Sequence, residues 1–135
     1  SRAMGLFEEP RYILRSACNH FFEMAEDTIR ERTLCCGSGA GLGNEENLEM
    51  RMRGGMPRAM AVKAVRETQG VNRLACICAI DRATLTSLMD YWVPGVTVSG
   101  VHELLANALV MKGEKERTTN LRGEPLEGKA ADETL

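Results

Sequence analysis

Cys35 and Cys36 stand side by side and open the stretch Leu34-Cys35-Cys36-Gly37-Ser38-Gly39-Ala40-Gly41-Leu42-Gly43, with four glycines in seven residues. Neighbouring thiols suit an ordinary disulfide poorly and suit a soft metal centre well. The glycines admit backbone conformations closed to other residues and let main-chain N–H groups approach a guest closely. Further donors follow in Cys76-Ile77-Cys78 and Asp81. Cys35, Cys36 and Cys78 form the candidate thiolate set of a metal or iron–sulfur site. Gly37, Gly39 and Gly41 supply close backbone.

The second donor segment has internal constraints. Side chains alternate in a strand, so Cys76 and Cys78 share a face, with Cys76 about 6–7 Å further back. Cys76 is therefore the weaker ligand candidate, and an inert buried thiol is its plainer reading. Asp81 reads first as a helix cap and second as a carboxylate ligand. A structural zinc held by Cys35, Cys36, Cys78 and either Cys76 or Asp81 is the competing metal, although the spacing is not that of paired Cys-x-x-Cys knuckles. A phosphate cradle fails on inspection. Gly37 and Gly39 are followed at the third position by Leu42, Gly39 and Gly41 by Asn44, and no Gly-Lys-Ser/Thr occurs.

The 135 residues, 44% hydrophobic, support one compact domain. A net charge of -2 and 4% aromatic content speak against nucleic-acid binding. No apolar run reaches membrane-spanning length and no signal peptide is visible, so the chain reads as soluble and intracellular. Five cysteines, an odd number, fit a reducing compartment and metal chemistry better than a disulfide framework. The opening on Ser1 points to a longer polypeptide, or to a processed or recombinant start.

The elements that must position these residues follow from periodicity. Helical spacing over 10–26 places Ile13, Leu14, Ala17, Cys18, Phe21, Phe22 and Ala25 on one buried face. Cys18 there reads as a small buried hydrophobe and His20 as a rim residue. The segment 28–34 is a short strand or an extended approach. A helix begins at Asn44, is broken or bent at Gly54-Gly55, restarts at Pro57 and stops at Gly70. Met52, Met56 and Met60, four apart, read as core packing before an adaptable partner surface. The run 74–80 fits a buried parallel strand, and Asp81 caps a helix to about Trp92 with Leu85, Leu88 and Met89 inward. A strand at 96–98 and a helix over 101–111 burying Leu104, Leu105, Ala108 and Leu109 complete the order. Strand, helix, strand, helix implies an α/β fold, a small parallel sheet flanked by helices. Both the Cys-Cys-Gly loop and Cys76-Ile77-Cys78 are then expected at carboxyl ends of strands, where ligands bind, with helix N-termini after Asn44 and Asp81 aimed at them. Residues 1–111 form the cysteine-rich domain, and the charged 112–135 a mobile tail.

Taken together, Glu9-Pro10-Arg11, Ala17-Cys18-Asn19, Thr28-Ile29-Arg30-Glu31, Cys35-Cys36-Gly37-Ser38-Gly39-Ala40-Gly41, Pro57-Arg58, Ile77-Cys78-Ala79-Ile80 and Val101-His102-Glu103-Leu104 resemble the cysteine-rich CCG domain of the B- and D-type heterodisulfide reductase family. Nearest in text are catalytic iron–sulfur subunits of membrane redox complexes, such as the K-type subunit of the sulfite reductase-associated complex and its high-molecular-weight cytochrome complex counterpart. The family pattern, a first cysteine, then Cys-Cys-Gly, then Cys-x-x-Cys, binds a noncubane [4Fe–4S] cluster. The resemblance assigns Cys35, Cys36 and Cys78 to that pattern. It departs at Asp81, where the second cysteine of the last motif would stand, and at the first cysteine, which has no match. A carboxylate from Asp81, the thiol of Cys76, or fewer thiolates would then complete the site.

The resemblance implies the C-terminal part of an iron–sulfur redox subunit that passes electrons to the noncubane centre. That centre reduces or forms a disulfide-type bond in a small sulfur-carrier partner with redox cysteines. It also implies other subunits of a membrane redox complex as partners, and a place on the cytoplasmic side of that complex without a membrane span. The competing class is a docking module without a redox centre, using the Met52/Met56/Met60 face and the charged tail.

Overall fold

The computed structural model describes residues 2–110 together with Thr119 and Pro125, which form an isolated antiparallel bridge. The charged tail expected over 112–135 otherwise lies outside the described residues, as does the last residue of the helix expected to reach Met111.

The expected α/β order is present. Helix α2 (Leu48–Gln69) leads into strand β1 (Arg73–Cys76), helix α3 (Ala79–Trp92), strand β2 (Thr97–Gly100) and helix α4 (Val101–Ala108). The strands pair in parallel with Arg73 opposite Thr97 and Cys76 opposite Gly100, and α3 makes the crossover that a parallel pair requires. The core gathers where α2 and α3 cover this sheet. Ala59 and Val62 of α2, Leu85, Leu88 and Met89 of α3, and Val96 and Val98 from β2 and its approach are all buried there. Trp92 Nε1 donates to Met52 O at 3.0 Å and ties the end of α3 to α2.

Helix α2 departs from expectation. It runs unbroken through Gly54, Gly55 and Pro57 after a short 3-10 turn, Glu45–Asn47, for which Asn44 is the N-cap. Gly55 marks a close approach rather than a break, because a Cβ there would lie 2.8 Å from the Leu88 methyl groups and 3.0 Å from Cys36 O. Packing against α3 thus keeps the helix where propensity alone predicts a bend. Gly70 closes α2 in the left-handed conformation, φ +69°, with its N–H on Arg66 O. Of the methionine stripe, Met52 is buried, Met60 packs against the core and Met56 is exposed.

The first helix is shorter than its periodicity suggests. Helix α1 (Glu8–Ala17) ends where Cys18 turns extended, φ -112° and ψ 144°. Only Leu14 of the expected face is buried, and Phe22 is exposed. Tertiary contacts draw residues 18–25 out of the helix. Glu23 pairs back to Arg11, and the Arg15 guanidinium lies over the Phe21 ring at 5.4 Å. The segment 28–34 forms no strand. It carries 3-10 turns at Glu26–Thr28 and Arg30–Arg32, with Ile29 buried between them. Arg30 takes φ +53°, and its guanidinium is held by Glu8 at 2.6 Å. That pair holds the Glu8 carboxyl below its ordinary range, chiefly through the Arg30 hydrogen bond. Ala108 ends α4 and Leu109 follows it in extended backbone; both are exposed, not buried as their spacing suggests.

Candidate metal centre

The Cys-Cys-Gly loop lies against α2. Gly37 has φ +89°, and a Cβ on it would sit 2.3 Å from Arg51 O. Only glycine fits. The loop backbone therefore touches the helix, as the glycine pattern implies, but what it touches here is protein. Gly39 and Gly41 belong to a 3-10 turn, and a Cβ on either would meet nothing within 4 Å. Gly41 still requires its glycine for φ +90°.

The two thiols differ in setting. Cys35 is exposed, and its sulfur accepts the Gly37 N–H at 3.3 Å. Cys36 is half-buried, 3.5 Å from Ser38 Oγ. Arg58 of α2 places Nε and Nη2 on Leu34 O at 3.0 and 2.8 Å, immediately before the pair.

The other wall comes from the end of β1. Cys76 is its last residue, 8% exposed, with its thiol toward Ser99 O at 3.5 Å. Burial, with a smaller contribution from Asp81, pushes the Cys76 thiol up to about 11, so it keeps its proton at neutral pH. Cys78 is exposed and is itself the N-cap of α3; Asp81, expected in that place, is the third residue of the helix. The chain turns into the helix two residues after the strand, so the alternation that would have stacked Cys76 and Cys78 does not persist. Only this segment, and not the Cys-Cys-Gly loop, stands at the carboxyl end of a strand.

A cavity of about 1400 Å³ joins the two walls, lined by Cys35, Cys36, Cys76, Cys78 and Asp81. Cys18, expected inside a helix, opens onto the same cavity. Burial raises its thiol and the nearby Arg73 guanidinium partly opposes that shift. All five thiols are free. The donor chemistry suits a thiolate-bound group, and the cavity has room for one. Yet among the described residues no three His, Cys, Asp or Glu side chains converge closely enough to hold a metal ion. The structure thus brings the expected residues to one cavity without assembling them into a ligand set.

The sequence analysis assigned no role to the arginines around the loop. Arg51 and Arg58 are seven apart on α2, and Arg51 is 7% exposed. A cation repeating on the apolar face of a helix was the available signal.

No family model matches the chain, and no solved structure matches it. Among curated proteins it is 49% identical over 130 residues to the Hdr-like menaquinol oxidoreductase iron-sulfur subunit 2 of Archaeoglobus fulgidus. It is 48% identical over 130 residues to the Hdr-like menaquinol oxidoreductase iron-sulfur subunit of Archaeoglobus profundus. Each match covers 93% of this chain and 23% of the relative, so the chain spans about a quarter of the length of these proteins. The chain is homologous to one stretch of Hdr-like iron–sulfur subunits, as the residues around Cys35 and Cys36 imply.

Proposed function

We propose that this chain is the thiolate-bearing part of an iron–sulfur redox subunit, working within a menaquinol-linked, Hdr-like complex at a membrane. The names of its relatives support the redox role. The observation that carries the site is the single cavity onto which Cys35, Cys36 and Cys78 open. Cys35, Cys36 and Cys78 would hold a noncubane [4Fe–4S] cluster, a group that would supply electrons one at a time. The chain's own parts have separate tasks. Gly37 lets the loop lie flat on α2, its N–H donates to the Cys35 sulfur, and the Ser38 hydroxyl stands 3.5 Å from the Cys36 sulfur. Cys76, buried at the end of β1, is a packing residue in this proposal, and Asp81 is the oxygen donor nearest Cys78 in sequence.

Electrons from quinol would serve to reduce a disulfide in a small sulfur-carrier protein, a step that takes two electrons and two protons. No helix among the described residues is long and apolar enough to cross a membrane, which fits a peripheral position in the complex, on its cytoplasmic side in this reading. Anaerobic reconstitution of the full-length protein tests the assignment. Iron, acid-labile sulfide and an electron paramagnetic resonance signal are expected in the parent and lost in Cys36→Ala. Equal iron and an unchanged signal in Cys36→Ala would remove the loop from the ligand set. A colourless, iron-free parent would favour the docking module, and a zinc-loaded one a structural metal.

A further inference from the structure

Strand β1 has an open edge. Asn72 O accepts the Thr97 N–H at 2.8 Å, so residues 72, 74 and 76 turn their backbone groups toward β2, and Arg73 and Ala75 turn theirs away. Among the described residues nothing bonds to the outward N–H and C=O groups of Arg73 and Ala75. The outer edge of β2 is closed at both ends within the chain. Val96 N–H donates to Val93 O at 3.3 Å, and Gly100 N–H to Glu103 Oε2 at 3.5 Å.

The open edge faces the cavity of about 1400 Å³. All of β1, Arg73 to Cys76, borders that cavity, although successive side chains lie on opposite faces of the sheet, so the space runs along the strand rather than over one face. Four large apolar side chains that line it, Leu6, Phe22, Ile77 and Val110, are exposed. A row of unpaired N–H and C=O groups bordered by apolar side chains is a template for an extended apolar segment. Two strands of four residues also stand at the lower end for any sheet. The stretch matched by this chain is 23% of each relative, so those proteins have ample further chain from which a third strand could come.

We propose that the open edge of β1 is a docking surface for a third strand, an extended apolar segment supplied by the part of the full-length subunit outside these 135 residues. Its backbone pairs with Arg73 and Ala75, and its side chains cover Leu6, Phe22, Ile77 and Val110. The chain's own residues 112–135 suit this edge poorly, being rich in Lys, Arg, Glu and Asp and poor in apolar side chains. The docking stands on the backbone of β1 and the length of the relatives, and is independent of the iron–sulfur reading above.

Hydrogen–deuterium exchange resolved to single amides in the full-length subunit tests the edge. The Arg73 and Ala75 N–H groups should exchange about a hundredfold or more slower than in an unstructured peptide of the same sequence, matching the protection that β2 gives Leu74 and Cys76. Photo-crosslinking from p-benzoylphenylalanine placed at Ile77, and separately at Phe22, both exposed, identifies the occupant. The product should join either site to an apolar segment of the same polypeptide outside residues 1–135, with mixed isotope-labelled subunits separating this from a second copy. Exchange of Arg73 and Ala75 at the unstructured rate overturns the docking. So does crosslinking only within residues 1–135, to a second copy or to another subunit, or no product from either site, whatever the exchange. Neither readout depends on iron, so a subunit that takes up no cluster overturns the iron–sulfur reading and leaves the docking to be decided by these two results.

Discussion

Replacing Gly37, Gly39 and Gly41 one at a time by alanine should produce a graded series, because the three positions differ in two separable ways. At Gly39 a Cβ would meet nothing within 4 Å, and no left-handed φ is required. Gly39→Ala should therefore change stability by no more than about 0.5 kcal/mol, the range of an ordinary surface substitution. At Gly41 space is open but φ is +90°, so Gly41→Ala should cost about 1–2 kcal/mol of backbone strain. At Gly37 both penalties apply. The φ of +89° adds similar strain, and the new Cβ falls 2.3 Å from Arg51 O and 3.1 Å from Gly55 N, both backbone atoms of a packed helix that cannot rotate away. Overpacking of this kind costs about 1–3 kcal/mol more, so Gly37→Ala should lose about 2–5 kcal/mol. Urea denaturation of the four proteins gives the order directly, with midpoints falling from parent to Gly39→Ala to Gly41→Ala to Gly37→Ala at constant slope. If Gly37→Ala proved as stable as Gly39→Ala, the loop would not lie against α2, and the placement of Cys36 beside Gly55 would be wrong with it.

Other outcomes follow from single contacts. Leu88 is fully buried, so Leu88→Ala should destabilise by about 2–5 kcal/mol, read from the denaturation midpoint. Because its methyl groups are what a Cβ at Gly55 would strike at 2.8 Å, Gly55→Ala should cost less in Leu88→Ala than in the parent, with a coupling of about 1 kcal/mol in a double-mutant cycle. The raised Cys76 thiol binds its proton more tightly folded than unfolded. Its contribution is therefore fully present below pH 9.0 and lost as pH rises through about 11, an effect of about 2–3 kcal/mol. Stability measured between pH 8 and 11 should fall less steeply in Cys76→Ala than in the parent; parallel curves would mean the thiol is not desolvated.

The conformation of the Cys-Cys-Gly loop was readable along the chain because it rests on local rules. Adjacent cysteines followed by alternating glycines specify a thiol-bearing loop wherever they fold, and Gly37 and Gly41 do take positive φ. An apolar run bounded by a turn, then a helix with Leu85, Leu88 and Met89 inward, gave β1, α3 and the parallel pairing. What failed were judgements in which a distant partner outweighs a local preference. Gly54-Gly55 looks like a break until Leu88 and Cys36 O are seen to fill the place of a Cβ. Periodicity through Phe22 looks helical until Glu23 returns to Arg11.

Residue types and spacing by themselves determined the chemistry on offer: soft thiolate donors, a loop that needs glycine, and homology to iron–sulfur subunits. Tertiary structure alone decided which thiols face the same space. It buried Cys76 at the end of β1, moved Cys18 from a helix face to the cavity wall, and made Cys78 rather than Asp81 the cap of α3. It also brought Arg51 and Arg58 to the loop's two ends. The reason is physical: a donor's identity is written in one residue, whereas burial, desolvation and charge depend on segments that meet only when α2 and α3 close over the sheet.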